Sequence, residues 1–130
     1  MILEINLVCN LYMLDKFGVG IDIIKISRFK NKPYISNKNF YKKLFSDSEI
    51  KYCLKYKNHA PHFSGKFAVK EALIKAINEK ISLREIETYY KNSKPMVKVK
   101  STLDKKYNFL ISVSHENDFA IAVVISEKIK

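Results

Sequence analysis

Two carboxylates stand where carboxylates are costly. GVGIDII, Gly18 to Ile24, reads as a buried strand yet carries Asp22, and FAVKEALIKA, Phe67 to Ala76, reads as a small-residue helix face yet carries Glu71 between Lys70 and Lys75. Buried and unpaired, such a group needs a cation or several donors. Each has an ordinary explanation: an Asp at a strand end caps the next turn, and a helical Glu pairs with a Lys four residues on, here Lys75. Together they suit a hard divalent ion, because Mg²⁺ takes one or two carboxylates and completes its shell with water and phosphate oxygens. Lys66, Lys70 and Lys75, on or beside the same helix, would then neutralise those phosphates. Carboxylates with lysines fit a metal-bound diphosphate, whereas a plain nucleic-acid surface needs only the lysines.

Other reactive residues carry less. His115 ends the strand ISVSH, where a neutral imidazole is commonly satisfied by the neighbouring turn. Cys53, His59 and His62 fit no standard zinc spacing. Cys9 and Cys53 lie far apart and outside any CxxC, which predicts reduced thiols rather than a disulfide.

The elements that must position these groups follow from pattern. Phe17 to Ile24 alternates and is β-branched, predicting a strand, with a short helix within Lys25 to Asn31. The third glycine of a dinucleotide fingerprint is missing and no βαβ unit follows. Ser46-Asp47-Ser48-Glu49 has the form of a capping box and opens a helix from about Asp47 to Lys57. Pro61 suits the first turn of the next and longest helix, running to about Glu79, with Ala68, Ala72 and Ala76 as a close-packing stripe. EIETYY, PMVKVK, NFLISVSH and FAIAVVIS then read as strands, the last two as a hairpin around Glu116-Asn117-Asp118.

A chain of 130 residues with 47% hydrophobic and 28% charged residues has the composition of one globular domain. No apolar run is long enough to span a bilayer, and the N-terminus lacks the basic region and cleavage site of a secretory signal. The 24 basic against 13 acidic residues give a net charge of +11, which points to an acidic partner or substrate. Eight Tyr and eight Phe keep a basic nucleic-acid-binding module as the alternative, though most fall on core-like positions.

GVGIDIIKISRF, FYKKLFSDSEIKYC, FSGKFAVKEALIKA and ISVSHENDFAIAVVI, in this order from about Phe17 to Ile125, resemble the holo-acyl-carrier-protein synthases, the small 4′-phosphopantetheinyl transferases. The resemblance implies an α+β fold with an antiparallel sheet packed against a long helix. The implied reaction moves 4′-phosphopantetheine from coenzyme A to a serine of acyl carrier protein, for fatty acid biosynthesis. It implies Mg²⁺ on Asp22 and Glu71, with Lys75 joining them as catalytic; coenzyme A contacts at Lys66, Lys70, Lys75 and His115; and carrier docking at Arg28. It further implies a homotrimer with sites at subunit interfaces, acting on neither nucleic acid nor membrane, in a bacterial cytoplasm or, given the Lys- and Asn-rich composition, a plastid-type organelle. Asn78-Glu79-Lys80-Ile81 departs from the family's glycine-rich loop, and Ser93 replaces a common Gly. Residues 1–16 are expected to form an extension to a domain over 17–130, and Met1 to Tyr12 to be dispensable for catalysis.

Overall fold

The computed structural model describes residues 14–100 and 102–129, so the expectation for Met1 to Tyr12 lies outside the described residues. Strand β1 (Phe17–Lys25) leads through helix α1 (Ser27–Lys30) and helix α2 (Lys38–Leu44) to helix α3 (Asp47–Leu54) and the long helix α4 (Ala60–Ala76). Strands β2 (Ile86–Lys91), β3 (Lys94–Val99), β4 (Tyr107–Glu116) and β5 (Phe119–Lys128) follow. The antiparallel strands form two sheets, β1-β5-β4 and the separate hairpin β2-β3.

Local chemistry explains most boundaries. The capping box at the start of α3 is formed: Glu49 N donates to Ser46 Oγ at 3.2 Å and Ser46 N to Glu49 Oε1 at 2.8 Å. Helix α4 begins with Pro61 in its first turn, where a missing N–H costs nothing. It ends at Ala76, earlier than the pattern predicts, because Ile77 turns extended and the Ser126 hydroxyl donates to the Ala76 carbonyl at 2.7 Å. The β2-β3 turn holds Asn92 and Ser93 at φ 51° and 64°, the two successive left-handed residues of a type I′ hairpin. Ser93 thus occupies a conformation that glycine adopts more cheaply.

Helix α4 is the centre of the molecule. One side lies on the sheet so closely that a methyl on Gly20 would overlap the Ala72 carbonyl oxygen, and one on Gly18 that of Ala76. Another side packs into an aromatic cluster of Phe29, Tyr41, Phe45 and Phe63, with the Tyr41 and Phe63 rings 4.7 Å apart and the Phe45 and Phe63 rings 5.0 Å apart. Each such fully buried side chain contributes about 1.5–3 kcal/mol. The opposite face of the sheet is apolar and exposed, with Val19, Ile21, Ile23 and Leu110 each more than half accessible. No helix among the described residues is long and apolar enough to cross a membrane.

Candidate active site

The contact between β1 and α4 sets the geometry of the first cluster. Because Gly18 meets Ala76 and Gly20 meets Ala72, the strand runs against the helix, two strand residues to each helical turn. Asp22 continues the inward-facing series and is partly buried. Lys75 Nζ reaches across to Asp22 Oδ1 at 3.2 Å and to the Ile21 carbonyl at 3.1 Å, so Lys75 bonds the strand rather than Glu71. Glu71 stands one turn before Lys75, half-buried, with no hydrogen bond or ion pair to any described residue. Beside Lys75 a groove of about 390 Å³ opens over Gly18 and Ala76 and runs to Asn78, Glu79 and Lys128.

Among the described residues no three His, Cys, Asp or Glu side chains converge on a metal. A site built wholly from protein ligands is therefore not formed by them. Asp22 and Glu71 do fit Mg²⁺ in its other habit, one or two carboxylates with the shell completed by water and substrate phosphate.

The second cluster surrounds the first half of α4. Lys66 is buried, its ammonium donating to the Thr88 carbonyl at 3.2 Å and hydroxyl at 3.0 Å, with the Tyr52 ring centre 4.7 Å away. A groove of about 380 Å³ between α3 and β2 is lined by Lys66, Lys51, Lys55, Tyr52 and Tyr90. His115 Nε2 lies 3.0 Å from the Pro61 carbonyl oxygen, next to Gly65. Burial lowers the pKa of His62, with His115, Lys66 and His59 adding to the fall.

Lys70 requires a correction. It is wholly buried, with Nζ 2.6 Å from Glu49 Oε1 and 2.8 Å from the Leu44 carbonyl oxygen, so its ammonium faces the interior and not a ligand phosphate. Burial lowers its pKa, and the Glu49 carboxylate opposes the fall. Sequence reading also missed Glu49, whose role in the capping box accounted for an acid at that position and left no sign of a second task. Burial pushes the Cys53 thiol up to about 12, which leaves it unreactive and unsuited to zinc. Arg28 is exposed, its guanidinium 5.0 Å from the centre of the Phe67 ring. The aromatic rings weighed toward nucleic acid include Phe29, Tyr41, Phe45 and Phe63, which fill the core.

Residues 18–124 match the model of the 4′-phosphopantetheinyl transferase superfamily. The chain belongs to this superfamily. A holo-[acyl-carrier-protein] synthase of Clostridium botulinum is 40% identical over 121 residues, covering 86% of this chain and 98% of that protein. Among solved structures, the synthase of Helicobacter pylori in complex with coenzyme A has a TM-score of 0.71 and 29% identity, covering 84% of this chain and 99% of that one. The Bacillus anthracis synthase in complex with coenzyme A (3′,5′-ADP) has a TM-score of 0.72 and 26% identity, covering 85% and 96%. The α+β fold, with its antiparallel sheet against α4, is the fold of these transferases.

Proposed function

We infer that the chain is an enzyme of the holo-[acyl-carrier-protein] synthase type, transferring 4′-phosphopantetheine from coenzyme A to a serine of acyl carrier protein for fatty acid biosynthesis. The observation that carries its chemistry is Glu71, a half-buried carboxylate with no partner among the described residues, on the same flank of α4 as the Asp22–Lys75 pair. Asp22 and Glu71 would hold Mg²⁺, which would supply charge neutralisation and orientation at the diphosphate. Lys75, about half exposed on a long stem, turns from Asp22 to a phosphate oxygen and stabilises the departing 3′,5′-ADP. The groove beside Lys75 has room for part of the coenzyme. Its far end is lined by Asn78 and Glu79. Release of 3′,5′-ADP, followed by chromatography, is expected only when coenzyme A, Mg²⁺ and apo-carrier are all present; release without the carrier contradicts group transfer.

Lys66 and His115 serve coenzyme A from the other end of α4. One chain thus offers two separate clusters, which fits a site completed across a subunit boundary. The exposed apolar face with Val19, Ile21, Ile23 and Leu110 supplies the surface for a homotrimer. Sedimentation is expected to give a trimer, and Ile21→Lys to dissociate it with loss of transfer; a fully active wild-type monomer contradicts this assembly.

Arg28 docks the acidic carrier. Its rigid fork matches a carboxylate, and the chain's net charge of +11 steers the carrier in. Arg28→Ala is expected to raise KM for the carrier severalfold and flatten its salt dependence, leaving KM for coenzyme A unchanged. An equal effect on both substrates removes the docking role.

A further inference from the structure

Among the described residues the most heavily bonded buried side chain lies behind the second cluster, reaching its Lys66 through Thr88. Glu49 is buried and accepts four hydrogen bonds: Oε1 from Lys70 Nζ at 2.6 Å and Ser46 N at 2.8 Å, Oε2 from Thr88 N at 2.9 Å and from the Thr88 hydroxyl. The Thr88 hydroxyl, having spent its proton on Glu49, presents a lone pair to Lys66 Nζ at 3.0 Å. One carboxylate therefore compensates two buried ammoniums, one directly and one through a hydroxyl. It also joins α3, β2 and α4, while Lys70 adds the last turn of α2 through the Leu44 carbonyl.

This network grips α4 on the side away from the sheet. At about 100° per residue, Lys70 and Ala72 point to nearly opposite sides of a helix, and Glu71 points between them. Ala72 is held by its contact with Gly20 of β1, and Lys70 by Glu49. The helix is clamped from both sides, and the residue projecting from the flank between the clamps is Glu71, with Lys75 one turn on. Without the Lys70 tie, non-directional aromatic packing and the Lys66–Thr88 bonds are left to oppose a roll of the helix on its small-residue stripe, which would move Glu71 relative to Asp22.

We propose that Glu49 is a positioning residue for the transfer reaction: through Lys70 it fixes the rotation of α4 that sets Glu71 and Lys75 against Asp22. The ion pair never touches substrate, and its effect is read at the metal. This rests on Asp22 and Glu71 being the metal ligands, and the wild type tests that separately.

The experiment titrates Mn²⁺ into the full chain with 3′,5′-ADP present and follows free metal by electron paramagnetic resonance. Wild type, Glu49→Gln and Lys70→Met are compared at a temperature where circular dichroism shows each folded. Glu49→Gln keeps the volume and an acceptor oxygen but loses the charge; Lys70→Met cuts the direct tie to α4, keeping the link through Thr88 and Lys66, and leaves Glu49 its three other donors. Both variants are expected to bind Mn²⁺ about tenfold more weakly, or worse, and to lower kcat with KM for the carrier unchanged. A folded variant with wild-type metal affinity overturns the proposal. Failure of both variants to fold overturns it too, by making the pair a stability element alone. If the wild type binds no Mn²⁺, the metal assignment to Asp22 and Glu71 is what fails.

Discussion

Asp22→Asn and Glu71→Gln are each expected to lower transfer by on the order of a hundredfold or more while leaving thermal stability close to wild type. Removing a metal ligand forfeits several kcal/mol of charge stabilisation in the transition state, and about 1.4 kcal/mol corresponds to a factor of ten. Stability should change little because neither residue fills core volume. Glu71 has no partner to lose among the described residues, and the only side-chain partner of Asp22 there is Lys75, in a partly exposed pair worth at most about 1 kcal/mol. Chelation of Mg²⁺ should reproduce the loss in the wild type. Steady-state rates and a thermal melt on each variant decide the matter: near-normal turnover in Mg²⁺ removes that residue from the metal site, and a large fall in melting temperature makes its role structural.

The second large effect is expected at Gly20. Its Cα lies so near the Ala72 carbonyl that a methyl there meets backbone, which cannot swing aside. Gly20→Ala must push β1 off α4 and open the interface between sheet and helix, at a cost of about 3 kcal/mol or more. The melting temperature should fall by roughly 10 °C or more, and activity should fall with it, because the same displacement separates Asp22 from Glu71. Gly65→Ala is the control. Its methyl would meet the His115 ring at 3.1 Å, an exposed side chain that can move, so its melt should stay within a few degrees of wild type. A Gly20→Ala melt equal to that of Gly65→Ala would contradict the close approach on which the site geometry depends.

How far the chemistry was legible in the chain varies with the kind of signal. Asp22 and Glu71 stood out because a carboxylate in an apolar pattern is expensive, and such violations tend to mark functional sites. The capping box, the proline-started helix and the closing hairpin were legible because each is encoded within a few residues. The end of α4 was not, since the donor that closes it, Ser126, lies 50 residues away. Lys70 was misjudged for a similar reason: periodicity marks it as a charge on a helix and is silent about Glu49, 21 positions upstream, which turns that charge inward. Long-range partners of this kind are set by packing rather than by local propensity. Likewise the strands were recognised, but their division between two sheets depends on pairings that local pattern does not encode.

The claim that this fold transfers 4′-phosphopantetheine is tested most directly on the intact mass of the acceptor. The purified chain is incubated with coenzyme A, Mg²⁺ and apo-acyl carrier protein, and the carrier is then weighed by mass spectrometry. The carrier is expected to gain one 4′-phosphopantetheinyl group, and to gain none when its acceptor serine is replaced by alanine or when the chain carries Asp22→Asn. A carrier of unchanged mass after prolonged incubation with folded wild-type chain would contradict the claim.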